Sequence, residues 1–161
     1  MLEYHVTGAR EVIERLGAMP QQIREAAKGS LDAWATELAA YIKADKLSGQ
    51  VLNRRTGLLS GSVHPLTEDA ERGIVGGAGA GAGVPYARIH EFGGLIPAHE
   101  VVARNAKALA FTIDGITRFA TRVQIPDVEM PERSYMRSSF DEKSPQGLEE
   151  LRAAVKEALV S

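Results

Sequence analysis

From Pro20 to Lys43 the apolar residues Ile23, Ala27, Leu31, Trp34, Leu38 and Ile42 recur every three or four positions. That spacing places them on one side of an α-helix about 20 residues long. Arg24, Glu25, Lys28, Asp32 and Lys43 fall on the other side. Pro20 suits the first turn of such a helix, and Met19-Pro20 ends whatever precedes it, because a residue before proline avoids the helical region. A helix with one apolar stripe must cover that stripe, so the remaining chain is read for what lies against it.

Before this helix, Leu2, Tyr4 and Val6 alternate with Glu3 and His5, which predicts a short strand. Val12, Ile13 and Leu16 predict a short amphipathic helix. After it, 45–61 reads as a long loop of the kind that is functional or disordered in compact domains. Strands are expected over 62–67 and 72–78 around an acidic turn, followed by a Gly/Ala tract, 76–83. Val84-Pro85 opens a short helix from Tyr86 to Phe92, which Gly93-Gly94 ends. Residues 95–106 read as an exposed loop. Leu109, Phe111 and Ile113 alternate, Asp114-Gly115 supplies a hairpin turn, and Phe119, Thr121, Val123 and Ile125 alternate on the return. A short helix over 131–142 is expected next. Ser144-Pro145 then caps a final helix with Leu148, Leu151, Val155 and Leu159 on one face. The sum is one α+β domain over 1–161, a mostly antiparallel sheet with a long N-terminal helix and a C-terminal helix packed on one face.

The chain has 161 residues, a net charge of −2 and no cysteine, which excludes disulfides and Cys-based zinc sites. The N-terminus lacks the basic-then-apolar layout of a signal peptide, and no apolar run reaches the roughly 18 residues of a membrane helix. A soluble, cytoplasmically made protein with no membrane partner is expected. The Gly tract is not a phosphate loop: Gly83 is followed by Val84-Pro85, with no Lys to reach a phosphate. It reads instead as a flexible hinge or strand end that lets another backbone come close, and such a tract can also let a loop switch conformation on assembly. On that reading Val at Gly79 and Gly81 should leave the monomer folded and block assembly.

The four histidines, His5, His64, His90 and His99, lack the His-Glu-x-x-His spacing of a zinc site, and no serine has a Gly-x-Ser-x-Gly elbow. Glu149-Glu150 and Asp141-Glu142 are adjacent helical residues that do not face each other, which makes poor acid–base pairs. No catalytic residue, metal ligand or cofactor is therefore assigned. Arg54 and Arg55, with Lys43 and Lys46 nearby, could touch nucleic acid, a reading of another class: a DNA-contacting protein of a mobile element.

Three ordered segments carry a resemblance: Arg55-Thr56-Gly57-Leu58-Leu59-Ser60-Gly61-Ser62-Val63; Val84-Pro85-Tyr86-Ala87-Arg88-Ile89-His90-Glu91-Phe92-Gly93-Gly94; and Val123-Gln124-Ile125-Pro126 followed by Pro131-Glu132-Arg133-Ser134-Tyr135-Met136-Arg137-Ser138-Ser139-Phe140. In order and spacing they resemble the tail-completion, or neck, proteins of long-tailed bacteriophages, also described as minor tail components or virion morphogenesis proteins. The resemblance spans roughly residues 10 to 160. It implies a non-catalytic virion protein, assembled in the host cytoplasm, that forms a homo-oligomeric ring joining the capsid connector to the tail. The implied partners are head-closure or connector proteins, tail-tube or tail-terminator proteins, and DNA passing through the ring lumen. A tail terminator capping the tube is the alternative within the class. Candidate partner-binding residues are Arg54 and Arg55 in the long loop, Tyr86, His90, Glu91 and Phe92 in the second segment, and Arg133, Tyr135, Met136 and Arg137 in the third. There Arg133 and Arg137 are read as one helix face, with Tyr135, Met136 and Phe140 on the apolar side.

Overall fold

Helix α1 (Gln21–Tyr41) carries the stripe read above: Ile23, Ala27, Trp34, Leu38 and, just past its end, Ile42 are buried, and Leu31 is half-buried. The computed structural model describes residues 21–160 apart from 72, 82 and 105. The expected strand at 2–6 and the helix around Val12, Ile13 and Leu16 lie outside the described residues. Two elements cover the stripe of α1. One is a hairpin of β1 (His64–Ala70) and β2 (Gly73–Gly79), paired antiparallel from His64↔Gly79 to Ala70↔Gly73. The other is the C-terminal helix α4 (Arg137–Val160). Asp69 of β1 clamps the outer edge of α1 through Arg24 at 3.1 Å and Lys28 at 2.6 Å, and these two cations hold its carboxyl below the usual range.

The Gly/Ala tract is a strand end that admits close neighbours at Gly76, Gly79 and Gly81, while Gly77 and Gly83 face open space. A Cβ on Gly76 would stand 3.1 Å from Leu31, and one on Gly79 would stand 2.6 Å from the His64 ring. Gly81 has φ +87°, with the Ala87 methyl 2.9 Å from where its Cβ would be. Valines at Gly79 and Gly81 would therefore damage the monomer itself, the reverse of the expectation above.

The segment 45–61 is largely helical. Winding continues past α1 as a π-helical stretch, Ile42–Gln50, broken at Gly49 (φ +133°), and a short helix α2 (Leu58–Ser62) follows. Leu47 stands five residues after Ile42, off the α-helical stripe, but the wider π turn keeps both buried. Lys46, also buried, sends its ammonium to Glu142 of α4 at 2.6 Å, and Tyr41 donates to the other oxygen of that carboxylate at 2.5 Å. Burial opposes the Lys46 charge, but the Glu142 carboxylate outweighs it and holds the ammonium pKa above its usual value.

The two helices expected over 131–142 and after Ser144-Pro145 are one helix, α4, which starts at Arg137 and runs through Pro145. Proline removes a helical N–H and crowds the preceding turn. The Trp34 indole packs here: its Nε1–H donates to the Lys143 carbonyl at 3.1 Å, and its ring stands edge-on to Phe140 at 5.5 Å. Gly147 makes the approach possible, since a Cβ there would fall 2.4 Å from Nε1. Further along, Leu151, Val155 and Ala158 pack on Ile23, Ala27 and Ile74, whereas Leu148 and Leu159 are exposed. The apolar face of the helix is thus rotated from the one read in the sequence.

Residues 94–130 form one long antiparallel arm. Strand β3 (Gly94–Ile96) pairs with β8 (Val128–Met130), β4 (His99–Val102) with β7 (Arg122–Ile125), and β5 (Leu109–Ile113) with β6 (Ile116–Ala120). The segment read as a loop, 95–106, thus contributes β4 and most of β3. The first two ladders share one register, interrupted where Pro97 and Pro126, which have no N–H to give, stand near each other across the ribbon. Between the second and third ladders pairing stops at Val102↔Arg122 and resumes at Leu109↔Ala120, with Thr121 alone between them on the return strand. The turn at Asp114 (φ +52°) and Gly115 (φ +78°) is the one expected from the sequence.

The chain is thus α+β, with a long N-terminal helix, antiparallel strands and a C-terminal helix, although its strands pair two by two. Among the described residues no helix is long and apolar enough to cross a membrane.

Alanine in place of a helical glycine normally stabilises. At Gly147 the sign reverses, because the methyl meets the indole: Gly147→Ala is expected to lower unfolding free energy by about 1–3 kcal/mol, read by chemical denaturation.

Candidate functional site

Helix α3 (Ala87–Phe92) is too short to be stable alone, and its burial is concentrated at Ala87 and Glu91. The Glu91 side chain is wholly buried. Its Oε2 accepts the backbone N–H groups of Tyr135 at 2.8 Å and Met136 at 2.9 Å; its Oε1 accepts the N–H of Arg137 at 3.0 Å and the Ser134 hydroxyl at 2.7 Å. Those N–H groups open α4, where a helix has donors without internal acceptors and a favourable field for negative charge. Glu91 is therefore a cap supplied from another element. The Arg133 N–H donates to the His90 carbonyl at 2.8 Å. Gly93 lets the chains close, since a Cβ there would stand 2.7 Å from the Glu132 nitrogen.

This clasp reassigns several residues. Glu91, Tyr135 and Met136 are internal: Tyr135 is 0% and Met136 4% exposed, and burial together with the Glu91 carboxylate raises the Tyr135 phenol pKa. Arg133 precedes α4, so it does not share a helix face with Arg137. Arg137 instead pairs with Glu91 and Glu132 and lays its guanidinium 5.0 Å from the Phe92 ring centre. Arg88 approaches the same ring at 5.8 Å, so Phe92, 39% exposed, stands at the surface among cations.

Beside the clasp lies a cleft of about 510 Å³. Arg54 and Arg55 come from the turn before α2, Tyr86 and His90 from the α3 segment, and Arg133 from the approach to α4. Leu47, Leu52 and Leu59 supply its apolar lining. Among the described residues no carboxylate lines it, and none of the three arginines is in an ion pair. Tyr86 meets His90 edge-on at 5.9 Å. The His90 Nδ1 is buried without a hydrogen-bond partner, and burial plus the Arg133 charge depress the pKa of the ring. Arg133 was missed as a partner of Arg54 and Arg55 because 78 residues separate it from Arg55 in the chain. Lys46, grouped with them in the sequence, is buried against Glu142 and does not join the cleft. Among the described residues no three His, Asp or Glu side chains are placed to hold a metal ion.

Set against known proteins, the chain matches no family model, no curated protein and no solved structure.

Glu91→Gln turns one acceptor oxygen into a donor facing backbone donors. At about 1–3 kcal/mol for each buried N–H left unpaired, it is expected to lose about 2–4 kcal/mol of stability by denaturant titration, with α4 protected less against hydrogen exchange at its start. His90 gives a pH signature. Its folded pKa lies below the usual 6.5, so the unfolded chain takes the proton first and stability declines as pH falls below about 6.5. Glu142 and Asp69, whose folded pKa values are lowered, add losses only below the ordinary carboxylate values. His90→Asn should remove the upper stage of acid destabilisation and leave the lower one.

Proposed function

We propose that this chain is a structural subunit of the head–tail junction of a long-tailed phage, of the neck or tail-completion type, acting in a homo-oligomeric ring that joins the capsid connector to the tail. The observation that carries this reading is the arm. Seven of the twelve exposed large apolar side chains among the described residues, Leu95, Val101, Val102, Ile113, Ile116, Phe119 and Val128, lie on it. A two-stranded ribbon is marginal in water without a surface to lie on, and apolar exposure on this scale is the mark of a protein interface. A subunit that completes such an arm against neighbours is an assembly component.

The convergence of the three motif segments supports the same reading. Segment 55–63 contributes Arg55, Leu59 and Ser60 to the cleft, segment 84–94 contributes Tyr86 and His90, and segment 131–140 contributes Arg133. Sequence patterns that resemble one family thus meet in one place, tied by Glu91. Within this class a tail terminator would use the same kind of arm. DNA contact is a second reading, favoured by the three arginines of the cleft.

Light scattering behind a sizing column, then electron microscopy of the peak, tests the proposal. Rings are expected, either from the protein alone or on adding head-closure or tail-tube proteins. A strict monomer indifferent to those partners overturns it.

A further inference from the structure

The cleft and the arm tip have complementary chemistry. The cleft is lined by Arg54, Arg55 and Arg133 together with Leu47, Leu52 and Leu59, and Leu47 and Leu52 belong to the buried core. Arginine forks bind carboxylates through paired hydrogen bonds, and the described residues that line the cleft supply no acid to answer them. A bare phosphate chain would answer the arginines but not the leucines. The better fit is a carboxylate flanked by apolar side chains.

The arm ends in that combination. Ile113 and Ile116 are the last cross-strand pair, on one face of the ribbon, 48% and 60% exposed. Between them the positive-φ turn holds Asp114, which takes part in no ion pair among the described residues. The outgoing strand has three, four and five paired residues in β3, β4 and β5. Among the described residues the strands of the arm pair only with one another, which leaves the tip for another molecule.

We propose that the arm tip of one copy, Ile113-Asp114-Gly115-Ile116, seats in the arginine cleft of the next copy, with Asp114 between Arg54, Arg55 and Arg133 and the two isoleucines on the leucines of the lining. Tip and cleft are different surfaces, so the contact is head-to-tail, and repetition of one such contact closes a ring when its rotation allows. This inference rests on the ring reading above and specifies how neighbours engage. The contact pairs exposed charges and is expected to weaken with salt.

The test is charge reversal on each side, read by ring assembly under conditions in which the wild type assembles. Asp114→Arg, and separately Arg54→Glu with Arg55→Glu, should each weaken association about tenfold to a hundredfold, and the chain carrying all three changes should recover part of that loss. Asp114→Asn tolerates the positive φ of the turn and isolates the charge; it should weaken association in the same direction. Far-UV circular dichroism checks that each variant is folded. Rings of normal affinity from the single-side variants would overturn the tip-in-cleft contact while leaving the ring reading standing. A wild type that never assembles, alone or with junction proteins, would remove both. Salt-sensitive binding to a DNA duplex, lost in the arginine variant, kept in Asp114→Asn and accompanied by unaltered rings, would overturn the proposal by assigning the cleft to nucleic acid.

Discussion

One buried carboxylate holds the architecture together. Glu91 has no solvent exposure, and an ion in that position is costly unless every oxygen is satisfied. Here both oxygens are met by the opening N–H groups of α4 and by Ser134. The exchange is mutual, since a helix start inside a protein must find acceptors for those donors. A single side chain thus closes the N-terminus of the longest helix and fixes a six-residue helix in place.

The position of this bond in the chain gives it further consequences. Residue 91 lies just before the arm and residues 134–137 just after it, so the clasp joins the two ends of the ribbon. Gly93 closes against Glu132 and Met130 there, and β3 and β8 begin pairing at once. Ring closure of such a long excursion costs conformational entropy, and the clasp supplies the fixed base from which the register can propagate. The same closure draws Arg133 onto His90, which sets one wall of the cleft. The body is closed separately, by Trp34. Its indole meets α4 at Lys143 and lies in the space Gly147 leaves, which lets the helix run through Pro145 without separating from α1.

Exposure divides the molecule. The body buries its apolar residues around Trp34, Ile42, Tyr135 and Met136, with a smaller cluster at Ile23, Ala27 and Ile74. The arm keeps its apolar residues at the surface. Sequence patterning could not tell these cases apart: alternation along Leu109–Ile113 looks the same whether the apolar face meets a core or a neighbouring molecule.

What the sequence by itself determined is local and periodic. The stripe from Ile23 to Ile42 specified α1, Asp114-Gly115 specified the arm's turn, and the alternation of Leu109, Phe111 and Ile113 specified the strand before it, because these signals depend on residues within a few positions of one another. The return alternation from Phe119 to Ile125 did not hold, since the strand breaks at Thr121 and Arg118 stands opposite Phe111. Tertiary structure decided the rest. The π turn that buries Leu47, the pairing of 94–102 with 122–130, the continuity of α4 across Pro145 and the burial of Glu91, Tyr135 and Met136 each depend on a partner far along the chain: Glu142 for Lys46, Trp34 for Gly147, the Tyr135 and Met136 amides for Glu91. The gathering of Arg54, Arg55, His90 and Arg133 is of the same kind. A charge placed at residue 133 carries no local mark of the cleft it lines, because the backbone bond from Arg133 to His90 that brings it there exists only once the chain has closed.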